Sequence, residues 1–225
     1  MPDYIYPERN IQFEKTLVST GTNYEGIHTM ENAAFEFENE TWGKLLVIAF
    51  EFAPRDEALD WARQLIESDR FKNHTVIILT HSFLLNNGER IVNEGYKLTP
   101  RNWAQAVWDK LVYPSKNIKL VLCGHTGTPP QMNGSEKVDY HTTTACRVDP
   151  AADGHKVVQM MFNSQNGDGS WNGNGGDCWL RILEFKPDGK TIGIRTFSPL
   201  FALSRRTQHM AWRTDAYDQF SITIE

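Results

Sequence analysis

The chain has 225 residues, of which 40% are hydrophobic and 12% aromatic, so it is long enough to bury a core as one large domain or two small ones. Its formal net charge of -5 comes without any basic stripe, which argues against nucleic acid as a partner. The first residues lack the cationic and apolar segments of a signal peptide, and no stretch approaches the ~18 apolar residues of a membrane span. The composition therefore predicts a soluble globular protein.

Two strand-like segments and a helix come first along the chain. AAFEFEN alternates apolar and polar residues, whereas KLLVIAFEF is an almost continuous apolar run that is typical of a central strand with both faces buried. A helix is predicted after Pro54, because Asp56 and Glu57 favour the positive end of a helix and apolar residues then recur at helical spacing. These apolar residues are Ala58, Leu59, Ala62, Leu65 and Ile66.

Two further strands enclose a second predicted helix. TVIILT (75–80) and KLVLC (119–123) are short apolar runs with polar neighbours. Between them, Thr99 and Pro100 are expected to begin a helix with Trp103, Val107 and Leu111 on one face. Strands that alternate with helices predict a parallel α/β sheet covered by its own crossover helices.

Beyond residue 138 the helical pattern ends. VVQMMF, WLRILEF and TIGIRTF are strand-like, and the last two flank KPDG (186–189), a turn sequence that predicts an antiparallel hairpin. The Gly- and Asn-rich residues 163–177 are expected to form a surface loop. We therefore predict a single domain over residues 1–225, with an α/β part at 31–137 and an antiparallel β part at 138–225. Among the last arginines, Arg205, Arg206 and Arg213 are expected to be solvated.

Two histidines follow predicted strands directly. His81 comes after VIILT and His125 comes after LVLCG, so both should lie at the carboxyl ends of buried parallel strands, where open α/β sheets bind ligands. Either histidine alone is typical of a polar loop residue. Together they leave two alternatives open, which are a metal or phosphate site and a pair of polar loop residues. Two ligands are also too few, because a zinc site needs three or four.

Several segments resemble a known family in their order along the chain. EFAPRDEALDWARQLI, VIILTHSF and LVLCGHTG resemble the second half of calcineurin-like metallophosphoesterases, and MFNSQ, GGDCWLRILEF and TFSP resemble the tail of one bacterial branch of them. The resemblance implies part of an α-β-β-α layered sandwich and a metal-dependent hydrolase of phosphoric monoesters or diesters. It implies His81 and His125 as ligands of Mn, Fe or Zn, with His125 as the first histidine of a Gly-His-x-His motif that binds a metal pair.

The chain departs from the family pattern in two respects. Gly127 stands where the second histidine of the motif would be, which puts the second metal ion in question. Three earlier motifs, Asp-x-His, Gly-Asp-x-x-Asp and Gly-Asn-His-Asp, are not found, and Asp153-Gly154-His155 matches the first by letters only and is predicted to be a turn. We therefore expect the C-terminal part of a larger domain, with no identifiable catalytic residue and weak or no activity alone.

Two consequences of that interpretation stay open at this point. A signal peptide upstream of the chain would make the full-length protein extracytoplasmic. The alternative function is a non-catalytic module that keeps the phosphoesterase fold and binds a partner or glycan through the loop at 163–177. The sequence carries no signal for the substrate-binding residues or for the oligomeric state.

Overall fold

A computed structural model describes residues 11–98, 101–126, 143–164 and 176–224. Within these ranges the helices are α1 (Ile11–Thr16), α2 (Asp56–Glu67), α3 (Ala104–Val107) and α4 (Pro199–Ala202). The strands are β1 (Leu17–Thr22), β2 (His28–Asn39), β3 (Gly43–Ala49), β4 (Thr75–Leu79), β5 (Ile118–Cys123), β6 (Thr144–Pro150), β7 (Lys156–Phe162), β8 (Leu180–Phe185), β9 (Thr191–Phe197), β10 (Trp212–Arg213) and β11 (Phe220–Thr223). Among the described residues, no helix is both long and apolar enough to span a bilayer.

The strands form two sheets. The larger has the order β1-β2-β3-β4-β5-β7-β6, in which β3, β4, β5 and β7 are parallel and the strands at both margins are antiparallel. In the smaller sheet, β9 pairs antiparallel with β8, β10 and β11. The mixed α/β class is confirmed, with a large, mostly β architecture and few helices. The predicted hairpin over KPDG is confirmed as β8 and β9.

The change of sheet does not coincide with the change of pattern at residue 138. VVQMMF forms β7, which lies parallel to β5 inside the larger sheet. The described chain passes to the smaller sheet only between Phe162 and Leu180. The expectation of mostly antiparallel pairing in this part is confirmed, because every other strand pair from β6 onward is antiparallel.

The larger sheet separates two hydrophobic clusters. On one face, Val76 and Ile78 of β4 pack with Leu59 and Ile66 of α2, and α3 joins the same cluster. Ile77 points the other way and packs against the smaller sheet. Because burial of one such side chain stabilises the fold by about 1.5–3 kcal/mol, both faces contribute to stability.

The second helix begins later than the sequence predicts. Residues 99–100, the expected start, lie outside the described residues, and α3 begins at Ala104 with Trp103 at its N-cap. The helix continues as a π-helical turn over Trp108–Val112. Val107 and Leu111 are buried as expected. Trp103 precedes the helix and contacts residues near the strand ends, as described below.

A buried ion-pair network supports the smaller sheet. Asp218 is fully buried, and its carboxylate lies 2.7 Å from Arg213 Nη2 and 3.2 Å from Arg181 Nη2. The expectation that Arg213 is solvated is therefore wrong, whereas Arg205 and Arg206 are exposed. Arg213 is buried because the turn that follows it brings the carboxylate of Asp218 to its guanidinium.

A second network links β6 to the segment that follows β4. Arg147 donates two hydrogen bonds to Asp149, at 2.7 and 2.8 Å, and Arg90 Nη2 lies 2.5 Å from the same carboxylate. The hydrogen bonds from Arg147, followed by those from Gln159 and by the charge of Arg90, hold the pKa of Asp149 below its ordinary value of 3.8.

Replacement of Asp149 by asparagine is expected to reduce the dependence of stability on acid. A carboxylate with a lowered pKa contributes stability that is present above pH 3.8 and is lost as the pH falls through the folded-state pKa. Urea unfolding at several values between about pH 6 and about pH 3 measures this slope. Asp69→Asn, at a carboxylate that is 98% exposed, is the control. If the free energy of unfolding of Asp149→Asn falls with pH as steeply as that of the unmodified chain, the lowered pKa of Asp149 does not contribute to acid unfolding.

Candidate functional site

The structure brings His81 and His125 together. Their ring centroids are 4.6 Å apart. The β4–β5 ladder continues past both strands, because the backbone N–H of Thr80 donates to Leu122 O and the N–H of Gly124 donates to His81 O, both at 3.0 Å. The expectation that the strand ends bring both imidazoles together is confirmed. Their role as metal ligands stays a prediction.

The backbone of His125 is held in an uncommon conformation. Its φ is +67°, in the left-handed region, which costs an L-residue about 1–2 kcal/mol. The side chain of Asn163 donates to His125 O at 2.9 Å, at the end of β7. A Cβ on Gly124 would lie 3.1 Å from Phe162 O, so a larger residue there would crowd this turn. These contacts fix where the His125 side chain begins.

Glu94 approaches the histidine pair from the loop after β4. Its Oε2 is 3.7 Å from His125 Nε2, and its Oε1 accepts a hydrogen bond of 2.6 Å from the hydroxyl of Ser82. The Glu94 side chain is 11% exposed, and its buried Oε2 has no hydrogen-bond partner. The sequence carries no signal for this residue, because a loop without periodicity does not indicate which side chain will fold back towards the strand ends.

An aromatic cluster borders the two histidines. The ring of Phe52 lies 5.2 Å from that of His81 and 5.6 Å from that of His125. Tyr96 and Trp103 pack on the same phenylalanine at 5.1 and 5.9 Å. These rings place apolar surface beside both imidazoles.

This environment favours a neutral imidazole at His81. Partial burial, and next the nearby His125, lower the pKa of His81 below its ordinary value of 6.5, although the charge of Glu94 acts in the opposite direction. Neutral imidazole is the form that binds metal ions. At neutral pH, His81 is therefore in the protonation state that a ligand needs.

A charged group lies at the end of the neighbouring strand β3. Glu51 accepts a hydrogen bond of 2.8 Å from Arg55 Nε and lies 3.8 Å from Arg101 Nη1. Arg101 Nε is buried and has no hydrogen-bond partner. The parallel ends of β3, β4 and β5 share one edge of the sheet, so a guanidinium donor is present at the same edge as the histidines.

The donor chemistry fits a divalent transition metal in part. Two imidazoles beside an unpartnered buried carboxylate oxygen are ligand types that such ions prefer. In the described ranges, however, no three side chains of His, Cys, Asp or Glu already stand in the arrangement of a metal site. Gly127 and most of the loop at 163–177 lie outside the described residues. Asp153, Gly154 and His155 form the expected turn, in which Asp153 pairs with His155.

Comparison with known proteins gives one distant relative and no family. No protein-family model matches the chain. Over 209 residues, which are 90% of this chain, the sequence is 22% identical to a protein of Bacillus subtilis (strain 168) called uncharacterized protein YvnB. The chain spans 14% of the length of that relative.

Proposed function

We propose that the chain is part of a metal-dependent phosphoric ester hydrolase of the calcineurin-like metallophosphoesterase type, in which His81 and His125 hold a divalent ion. The observation that carries this proposal is the meeting of the two imidazoles at the carboxyl ends of adjacent parallel strands, beside a buried carboxylate. The order of the family-like segments along the chain supports the same function.

The layers of the fold are consistent with the proposed type. Helices α2 and α3 cover one face of the larger sheet, and the smaller sheet covers the other face. This arrangement corresponds to three layers of an α-β-β-α sandwich. The two histidines lie where the parallel strands of the larger sheet end, which is where open α/β sheets bind ligands.

Each side chain has a definite role in this proposal. A bound divalent ion would act as a Lewis acid towards the phosphoryl group. His81 and His125 would hold that ion as neutral donors, and the hydrogen bond that the Asn163 side chain donates to His125 O keeps the His125 backbone in place. The guanidinium of Arg101, whose Nη1 lies 3.8 Å from Glu51 at the same edge of the sheet, would attract the anionic ester by its charge. Because the earlier family motifs are not in this chain, we expect it to hydrolyse esters slowly by itself.

Metal content tests the proposal. Purified chain is incubated with Mn²⁺ or Zn²⁺, desalted, and analysed by mass spectrometry, and its hydrolysis of bis(4-nitrophenyl) phosphate is followed in parallel. We expect about one bound ion per chain and slow, metal-dependent hydrolysis, both lost in His125→Ala. His209→Ala, at an exposed histidine, is the control. A chain that retains no stoichiometric metal would be the non-catalytic binding module instead.

A further inference from the structure

We propose that Glu94 is a third protein ligand of the ion held by His81 and His125. This inference rests on the proposed function and names a residue of the same site. The resemblance to the family leaves the site one ligand short at Gly127. Glu94 supplies a carboxylate from a different segment, the loop between β4 and α3.

The burial of Glu94 Oε2 without a hydrogen-bond partner favours a cationic partner. Its Oε2 is inaccessible to solvent and accepts no hydrogen bond. A buried carboxylate oxygen without a partner is costly, and an ion is one of the few groups that satisfies it. The nearest positively polarised neighbour is the ring of His125, with Nε2 at 3.7 Å, and this distance exceeds the 3.2 Å limit of an ordinary hydrogen bond.

The separation of the two atoms suits two ligands of one ion. Zinc lies about 2.0–2.2 Å from imidazole nitrogen and carboxylate oxygen, so two such donors at a tetrahedral angle are roughly 3.4 Å apart. The observed 3.7 Å between Glu94 Oε2 and His125 Nε2 corresponds to a slightly wider angle. The separation of these two atoms is therefore compatible with one ion between them.

The orientation of Glu94 is set by Ser82. The serine hydroxyl donates to Oε1 at 2.6 Å, which leaves Oε2 as the free donor. Ser82 directly follows His81, so the same strand end carries one ligand and positions another. The ring of His81 lies 4.6 Å from that of His125, which is close enough for both imidazoles to face the same ion.

Titration with Co²⁺, followed by visible absorption, tests Glu94 as a ligand. Glutamine keeps a carbonyl that accepts from Ser82 and from an imidazole N–H, but it lacks the carboxylate charge. We expect Glu94→Gln to lower Co²⁺ affinity by more than about 100-fold and to change the absorption spectrum, since loss of an outer partner costs only about 10–100-fold. Glu89→Gln, on the same loop and exposed, should match the unmodified chain.

The outcomes separate this inference from the proposed function. Cobalt binding that is lost in His125→Ala but keeps its affinity and spectrum in Glu94→Gln would overturn the ligand role of Glu94 and leave the function standing. No cobalt binding by the unmodified chain would overturn both. If Glu94→Gln does not fold, Glu94→Asp is used. Its side chain is one methylene shorter, which moves the carboxylate about 1.5 Å away from the ion. A spectrum unchanged in Glu94→Asp would then reject the inference.

Discussion

Replacement of Asp218 by asparagine is expected to lower the free energy of unfolding by about 3–5 kcal/mol. Asp218 is fully buried, and its carboxylate is the counter-charge of Arg181 and Arg213, whose side chains are 5% and 7% exposed. Asparagine has nearly the same shape but no charge. It would leave two buried guanidinium groups without their anion, and the cost of their desolvation would no longer be offset.

Urea unfolding at neutral pH measures the effect of Asp218→Asn. Asp215→Asn is the matched control, because it makes the same chemical change at an exposed carboxylate three residues earlier. Exposed substitutions of this kind usually change stability by less than about 0.5 kcal/mol. Equal losses in the two variants would show that the charge of Asp218 does not hold the network together.

Removal of either histidine is expected to reduce the affinity for a divalent ion by about 100-fold or more, and removal of both should cost little beyond the larger single loss. The effects are not additive if His81 and His125 bind one ion, because the site fails when either imidazole is absent. Two polar loop residues would instead give no change in affinity, and two separate ion sites would give additive losses.

Thermal unfolding with and without Zn²⁺ gives this double-mutant cycle a readout independent of catalysis. An ion present at 100 times its dissociation constant stabilises the folded chain by about 2.7 kcal/mol. This increment should vanish in His81→Ala, in His125→Ala and in the double variant. Combination of His125→Ala with His209→Ala should behave like His125→Ala alone, since His209 is exposed and lies in a separate turn.

The parallel core could be predicted because strands that are buried on both faces have nearly continuous apolar sequences. KLLVIAFEF, TVIILT and KLVLC became β3, β4 and β5, and the apolar spacing after Pro54 became α2. The convergence of the histidines followed from this, since neighbouring parallel strands end at one edge. Such an inference needs only local pattern and the geometry of a parallel sheet.

The marginal strands left no comparable pattern. β6 alternates charged residues, Arg147 and Asp149, with small or apolar ones and ends at Pro150, so it becomes a strand only through pairing with β7. β1 contains Gly21, where a Cβ would lie 2.9 Å from the Cβ of Asn32 on β2. In both cases pairing with the next strand along the chain decides the conformation.

The functional details that were missed depend on contacts between loops. Glu94 reaches His125 because the segment after β4 folds back on itself, with a bridge between Leu84 and Arg90. Arg213 is buried because a turn returns Asp218 to it. Neither event changes the local hydrophobic pattern, so no reading of neighbouring residues would have found them.

The fixed backbone of His125 and the exposed ring of His81 have a consequence for ion choice. If the pair binds an ion as proposed, His125 would define one donor position, whereas His81 would be less constrained in its distance to the ion. Such a pair would discriminate poorly between Mn, Fe and Zn, whose affinities for nitrogen and oxygen donors follow the intrinsic order of the metals. Occupancy in the cell would then follow the supply of each metal, and the identity of the ion would change with growth conditions.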